Sequence, residues 1–299
     1  MRRFLLATFF LLSLGCQPGQ HRSSSEAIQD PNAGGPVREE IAYAQREGVP
    51  LLADVYRPDR NSKAPAVILV HGGSWSRGKR DRMDRVAARA VERGFVVVNI
   101  EYRLAPEHRY PRGVEDISTA VCWTRRNAAS LGVDPEQIAL WGYSAGGHLS
   151  VLAASRPGSP NAEDDCPPEQ ARVQACVAGS APSDLRLFGD IQPLRALLGA
   201  GPDEAPELYE EASTTLAVGE QTPPTFLYHG RTDWIVDVEH SRRLRGSLES
   251  AGVPVELVEN DRGHFSQAVF AEEPIEKALD FLEQQFADSD GKAAPPGLE

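Results

Sequence analysis

The sequence predicts an α/β protein with a mainly parallel sheet that is covered by helices on both faces. Short apolar runs alternate with amphipathic stretches along residues 37–287, and no segment repeats. This alternation is typical of buried strands that are joined by crossover helices. The 299 residues could form two domains, but nothing in the pattern divides them, so we expect one domain over residues 37–287.

The elements can be placed in order along this domain. Residues 37–45 and 51–57 flank a Glu-Gly turn signal and predict an opening hairpin. Buried strands follow, and the spacing of apolar residues between them predicts helices. The strands are predicted at residues 66–70, 95–100, 138–142, 173–178, 224–228 and 255–259. The helices are predicted at residues 81–92, 114–129, 145–155, 238–251 and 267–286.

Residues 183–221 break the alternation. The segment is longer than an ordinary loop and carries several leucines between two strands. We expect it to form a small helical cap over the carboxyl edge of the sheet. The alternative is that the segment is a surface loop without a function.

Composition and charge narrow the class of protein. The chain is 41% apolar and 25% charged with 4 Cys, which excludes collagen-like, coiled-coil and disulfide-scaffold classes. A formal net charge of -12 argues against nucleic-acid binding through a general positive field. No spacing of cysteines and histidines indicates a metal site, and we expect no cofactor.

The first residues have the pattern of a secretion signal. After a Met-Arg-Arg start, residues 4–14 form an uncharged apolar run, shorter than the roughly 20 residues that span a bilayer. The junction before Cys16 resembles that of a bacterial lipoprotein, in which the new terminal cysteine is lipidated. We expect a signal peptide over residues 1–15, export, and membrane contact only through a lipid on Cys16. An ordinary secreted protein and an uncut buried helix are the alternatives.

The two ends of the mature chain lack a hydrophobic pattern. Residues 16–36 predict a flexible tether, and residues 288–299 predict a disordered tail.

The remaining cysteines could form a disulfide, because an extracytoplasmic compartment permits disulfides. We expect Cys166, in a Pro- and Asp-rich loop, to pair with Cys176, and Cys122 to lie in the core.

A G-x-S-x-G sequence at residues 142–146 lies between a predicted strand and a predicted helix. A sharp turn there forces the serine into strained dihedrals, and small flanking residues avoid clashes. Ser144 would stand at the helix N-terminus, where the dipole favours a developing negative charge. We predict that Ser144 is a nucleophile; a glycine-rich helix start is the alternative.

The sequence His-Gly-Gly-Ser-Trp follows the first predicted parallel strand. Successive glycines let backbone N–H groups point into one concavity, where they can hold an oxyanion. We predict Gly73 and Ser74 as donors, with Ala145, next after the nucleophile, as the third. A phosphate cradle would need the G-x-x-x-x-G-K-[ST] pattern, which the sequence lacks. We expect His71 to be a buried prop for this loop.

A serine hydroxyl needs a base, and the chain has 7 His. His264 follows the last strand, at the edge where open α/β sheets place their sites, and we predict it as the base. We expect His148 to point along its helix and His229 to support a loop. The histidines expected at the surface are His21, His108 and His240.

The imidazole needs a carboxylate to orient it. Asp233 follows the fifth parallel strand and gives the chain order Ser, Asp, His that this architecture uses. Asp184, after the fourth strand, and Asp237 are the alternatives. Asp116 has no predicted role.

These motifs resemble those of α/β-hydrolase esterases related to hormone-sensitive lipase and to the bacterial feruloyl-esterase-like (BD-FAE) carboxylesterases. The motifs lie in the expected order at residues 71–75, 101–111, 142–147, 229–233 and 263–264. The resemblance implies an eight-stranded α/β-hydrolase fold with a short cap. It also implies Ser144 as nucleophile, His264 as base and Asp233 as its orienter. Ser74 stands where hormone-sensitive-lipase relatives usually have a third glycine, which leaves the backbone donor intact.

We therefore expect a serine carboxylic-ester hydrolase that acts on small or short-acyl esters through an acyl-enzyme. Its expected partner is a small-molecule ester. An amide hydrolase on the same triad, such as an arylformamidase or a peptidase, is one alternative. A non-catalytic binding module that retains the fold is the other.

Overall fold

A computed structural model of the protein describes residues 37–59, 62–158, 166–270 and 272–290. The predicted signal peptide, the tether and the lipidation site Cys16 lie outside these residues. The last helix ends at Asp290, within the predicted tail, and the rest of that tail is not described. Within the described ranges, no helix combines the length and apolar character needed to cross a membrane.

The described residues form eight strands in one sheet. The strands are β1 Val37–Arg46, β2 Val49–Arg57, β3 Ala64–Val70, β4 Val96–Ile100, β5 Val133–Tyr143, β6 Ala175–Gly179, β7 Thr225–Gly230 and β8 Val255–Asn260. Their order in the sheet is β1-β2-β4-β3-β5-β6-β7-β8. Strand β2 is antiparallel to β1 and β4, and the other pairs are parallel, which confirms the predicted architecture. Glu47 and Gly48 have φ of 50° and 80°, the geometry of a two-residue hairpin turn between β1 and β2.

Helices cover both faces of the sheet, because successive side chains of a strand point to opposite sides. The helices are α1 Asp84–Glu92, α2 Arg112–Arg126, α3 Ala128–Leu131, α4 Ala145–Ser155, α5 Pro168–Ala171, α6 Gln192–Leu198, α7 Pro206–Glu211, α8 Thr214–Ala217, α9 Glu239–Ser250, α10 His264–Phe270 and α11 Glu272–Asp290. Val67 and Leu69 of β3 join the buried cluster under α1 and α11, whereas Ile68 and Val70 join the cluster under α2, α4 and α9.

Three predicted helices differ in detail from those observed. The helix predicted at 81–92 begins with the 3-10 turn Arg80–Met83, and the helix predicted at 114–129 divides into α2 and α3. The helix predicted at 267–286 is α10 followed by α11, and α10 begins at His264 itself. Periodicity alone cannot locate the first two breaks, because Met83 packs in the same cluster as α1, and Leu131 of α3 packs in the same cluster as α2.

The segment between β6 and β7 forms a helical cap, as expected. It consists of the 3-10 turn Leu185–Phe188 and the short helices α6, α7 and α8. Leu194, Leu197 and Tyr209 are buried in the same cluster as α2 and α4. The cap is therefore packed onto the main domain by its own apolar residues.

The predicted disulfide between Cys166 and Cys176 is wrong. Cys166 is bonded to Cys122 of α2, with Cα atoms 5.9 Å apart, and Cys176 is free. Cys176 lies on the central strand β6, fully buried in the core, so it cannot reach the loop that carries Cys166. Cys166 instead packs against Cys122 and Ala171 in a small separate cluster.

Candidate active site

Ser144 occupies a strained turn between β5 and α4. Its φ of 56° and ψ of -124° are unfavourable for a residue with a side chain, and its N–H donates to the carbonyl of Gly179 at 2.7 Å. The turn needs its glycines: a Cβ on Gly142 would lie 2.2 Å from the oxygen of Gly146. A Cβ on Gly146 would lie 2.1 Å from the oxygen of Val70. The G-x-S-x-G residues thus make the turn that the sequence predicts.

The structure brings Ser144, Asp233 and His264 together from the carboxyl ends of β5, β7 and β8. His264 Nε2 lies 2.9 Å from Ser144 Oγ, and His264 Nδ1 lies 2.6 Å from Asp233 Oδ2. Because Nδ1 donates to the carboxylate, Nε2 is left to accept the serine proton. His264 and Asp233 are buried, so water does not compete for the bond between them.

The Asp233 carboxylate is fixed by several donors. Its Oδ1 accepts the N–H groups of Ile235 at 3.0 Å and Val236 at 2.9 Å, while Oδ2 also lies 3.4 Å from His229 Nε2. Burial raises the pKa of Asp233, but hydrogen bonds from His229, His264 and the Val236 N–H outweigh it and hold the pKa well below its usual 3.8. Asp233 therefore remains ionised at neutral pH.

The alternative acids contact other groups. Asp184 accepts from the guanidinium of Arg186 at 2.8 and 3.0 Å, which lowers the pKa of that carboxyl group. Asp237 accepts the N–H of Glu239 at the start of α9. Neither carboxylate hydrogen-bonds to His264.

The predicted oxyanion loop runs beside the nucleophile. A Cβ on Gly72 would lie 3.1 Å from the Cβ of Ser144, and Gly73 and Ser74 have φ of 142° and 53°. Among the described residues, neither the Gly73 nor the Ser74 N–H has a hydrogen-bond acceptor. Ala145 is the first residue of α4, where an N–H has no partner within the helix. The three predicted donors are thus unengaged, and their role stays a prediction.

His71 supports this loop and is not placed to act as a base. It is buried, its Nδ1 lies 3.0 Å from the carbonyl oxygen of Gly72, and its ring stacks on Tyr102 at 4.5 Å. The Tyr102 hydroxyl donates to the carbonyl of His71 at 2.9 Å. Burial lowers the pKa of His71 to about 4, so the ring is neutral at physiological pH.

Asp116, for which the sequence predicts no role, has a structural one. The carboxylate is fully buried and accepts from Arg103 Nη2 at 2.7 Å, from Nε at 3.0 Å and from the Arg103 N–H at 2.8 Å. This ion pair fixes the loop after β4 that carries the signature at residues 101–111. The sequence does offer one signal for this role: Asp116 lies on the apolar side of a predicted helix, and a buried carboxylate needs a cationic partner.

Two further residues beside the nucleophile hold the site and were not predicted. Tyr143 donates its hydroxyl to the carbonyl of His264. His148 Nδ1 accepts from Trp75 Nε1 at 3.1 Å, and its Nε2 donates to the carbonyl of Ala212 at 2.7 Å. His148 thus joins the oxyanion loop, the helix α4 and the cap, a role that its helical position alone does not reveal.

The surface expectation for His240 is wrong. Its ring is buried, accepts the N–H of Ser183 at 3.1 Å and stacks on Phe188 at 4.6 Å. His240 therefore packs the base of the cap, whereas His108 is partly exposed beside Glu47. His229 does support its loop, with Nε2 2.8 Å from the oxygen of Val236.

No group of three or more His, Cys, Asp or Glu in the described ranges could hold a metal ion.

Comparisons with known proteins show the family of this chain. The family model BD-FAE matches residues 53–248. The Mycobacterium tuberculosis esterase LipC is 34% identical over 216 residues, which is 67% of this chain and 53% of LipC. The esterase LipQ of the same organism is 31% identical over 249 residues, 81% of this chain and 57% of LipQ. The chain therefore spans about half the length of these curated relatives.

One similar solved structure is matched over nearly its whole length. The thermophilic esterase Est2 of Thermogutta terrifontis, solved with propionate bound, superposes with a TM-score of 0.70 at 26% identity. The match covers 87% of this chain and 97% of Est2.

Proposed function

Because this chain belongs to the BD-FAE family of α/β-hydrolases, we propose that it is a serine-dependent ester hydrolase. The observation that carries the proposal is the unbroken hydrogen-bond chain from Asp233 through His264 to Ser144, with lengths of 2.6 and 2.9 Å. A strained serine, an imidazole beside its hydroxyl and an ionised buried carboxylate are the components of acyl transfer. The esterase names of LipC, LipQ and Est2 support an ester as the substrate.

The proposed reaction has two halves. Ser144 Oγ attacks the ester carbonyl while His264 Nε2 takes the hydroxyl proton, and His264 then gives that proton to the departing alcohol. Water attacks the resulting acyl-enzyme, losing its proton to His264, and the acid leaves as Ser144 is restored. Asp233 stabilises the imidazolium in both halves. The N–H groups of Gly73, Ser74 and Ala145 hold the oxyanion.

Short-acyl or otherwise small esters are the proposed substrates. The propionate in the Est2 structure supports a short acyl group. An amide substrate on the same three residues is the second candidate, since the same acyl-enzyme chemistry cleaves both bonds.

The test compares Ser144→Ala with the wild type on a panel of esters, formanilides and aminoacyl anilides. We expect ester turnover to fall by several orders of magnitude. Ser130→Ala, which changes an exposed serine of α3, is the matched control and should retain full turnover. Unchanged ester hydrolysis in Ser144→Ala would overturn the proposal.

A fluorophosphonate probe separates the remaining possibilities. Labelling of Ser144 with cleavage of anilides alone would identify an amide hydrolase. Absence of labelling would identify a non-catalytic module.

Export and anchoring through Cys16 are part of the same proposal, because the enzyme would then meet its esters outside the cytoplasm. Labelled lipid should appear on the wild-type chain and be missing from a Cys16→Ala variant. Lipid on both would refute the anchor at Cys16.

A further inference from the structure

A surface cleft of about 520 Å³ adjoins the oxyanion loop. One wall is formed by Ser74 and Arg77 of that loop, a second by Arg109 after β4, and a third by Gln192 and Arg195 of α6. The volume falls in the range of sites for small ligands. Because Ser74 belongs both to the cleft and to the predicted oxyanion donors, a molecule in the cleft would lie next to the reacting carbonyl.

The charge of the cleft is opposite to that of the chain. The whole chain has 43 acidic residues against 31 Lys and Arg, yet the residues that line the cleft include three arginines and no carboxylate. The positive charge of Arg195 is balanced, since it contacts Asp190 at 2.6 Å and Glu204 at 3.2 Å. Arg77 and Arg109 have no carboxylate partner within the part of the chain that the structure describes.

The Arg109 guanidinium lies against Gly199, the left-handed residue that ends α6 with a φ of 87°. A Cβ on Gly199 would lie 2.5 Å from Arg109 Nη1 and 3.0 Å from its Cζ. The missing side chain therefore leaves room for the guanidinium against the end of α6. An arginine packed in this way and lacking an acid in the protein is suited to bind an anion from outside, because its planar fork matches a carboxylate.

We propose that this cleft binds an anionic group of the substrate, so that the preferred esters carry a carboxylate close to the scissile bond. The inference rests on the proposed esterase function and adds a substrate class to it. A carboxylate in the acyl part and one in the alcohol part have the same chemistry, and substrate pairs distinguish them. The attraction is partly exposed to solvent, so it should weaken as salt is added.

The experiment measures kcat/KM for two pairs of esters of similar shape. p-Nitrophenyl monosuccinate against p-nitrophenyl 4-methylpentanoate tests the acyl side, and 4-acetoxybenzoate against 4-isopropylphenyl acetate tests the alcohol side. In one of the pairs, we expect Arg109→Gln to lower the ratio of anionic to neutral kcat/KM about tenfold, mainly through KM. Arg77→Gln should act in the same direction on the same pair.

Arg245→Gln is the matched control, because it removes one positive charge from the exposed side of α9, outside the cleft. It should leave the ratio of the two esters unchanged. The inference is overturned if neither cleft variant changes the ratio for either pair, or if Arg245→Gln lowers it equally. If no ester is cleaved and Ser144 is not labelled, the proposed esterase function itself fails. If neutral esters are cleaved but the cleft variants do not change the ratio of anionic to neutral kcat/KM, only the proposal of an anionic substrate fails.

Discussion

Tyr143 donates its hydroxyl to the carbonyl of His264, so the residue before the nucleophile holds the loop that carries the base. The two rings also lie 5.4 Å apart between centroids. Burial raises the pKa of the Tyr143 phenol far above 10, so the donor keeps its proton across the working pH range.

Tyr143→Phe should therefore lower kcat about tenfold while leaving KM nearly unchanged, because His264 loses a support and substrate contacts do not change. Leaving the carbonyl without this donor should cost about 1–3 kcal/mol of unfolding free energy. Tyr228→Phe is the control, since Tyr228 stacks on Tyr143 at 6.2 Å and its hydroxyl accepts from Trp141. Equal losses of kcat in both variants would mean that packing, and not the bond to His264, is responsible.

Asp233 should affect both turnover and the pH dependence of stability. Asp233→Asn removes the charge that orients His264, and kcat should fall by about 10⁴. The folded pKa of Asp233 is depressed, so its charge stabilises the protein above pH 3.8 and this contribution is lost as pH falls below that value. The difference in unfolding free energy between wild type and variant should thus be constant near neutrality and shrink in strong acid. A difference that persisted in strong acid would contradict the assignment of an ionised Asp233.

The Cys122–Cys166 bond should contribute measurably to stability. It closes a loop with a sequence separation of 44, for which loop-closure entropy predicts about 4 kcal/mol. Cys122→Ser should lower the unfolding free energy by up to that amount, and reductant should destabilise the wild type but not the variant. Cys176→Ala, which alters the free buried thiol, should keep the response to reductant. A non-reduced peptide map that joined Cys166 to Cys176 would refute the pairing.

Local patterns were sufficient to predict the sheet and the turn at Ser144, because each depends on signals that lie within a few residues, such as a buried apolar run or a glycine that permits close approach. The grouping of Ser144, Asp233 and His264 was predicted from their positions after strands and from their order along the chain. The cysteine pairing failed for the opposite reason. Cys166 and Cys176 are close in sequence, but the direction of a side chain on β6 is set by the sheet, and Cys122 approaches from a helix 44 residues away.

The buried polar contacts around the site could not be predicted from local patterns either. Asp116 with Arg103, and His148 with Trp75, join elements that are separate in sequence. The sequence indicates that each buried polar side chain needs a partner, but not which one, because the choice depends on how the helices pack. His240 was expected in solvent because its neighbours are polar, although the cap covers it.

His148 should make stability fall as the pH is lowered. Burial lowers its pKa from 6.5 to about 4, so the folded state keeps the ring neutral while the unfolded state takes up a proton below pH 6.5. Its contribution is complete above pH 6.5 and is lost as pH falls toward 4, with a slope of at most about 1.4 kcal/mol per pH unit. Protonation would also remove the Nδ1 acceptor that binds Trp75 Nε1.

His148→Gln tests this effect. At pH 8 the variant should lose about 1–3 kcal/mol, because the buried Trp75 N–H is left without its acceptor. Between pH 6.5 and 4 its unfolding free energy should fall less steeply than that of the wild type. The two slopes should differ by at most about 1.4 kcal/mol per pH unit, the contribution of one bound proton. His71 and His240 remain in both proteins, although the charge of His240 contributes to the lowered pKa of His148, and His108→Gln is the surface control. Parallel pH curves for wild type and His148→Gln, measured by chemical denaturation, would show that His148 is not held neutral by burial.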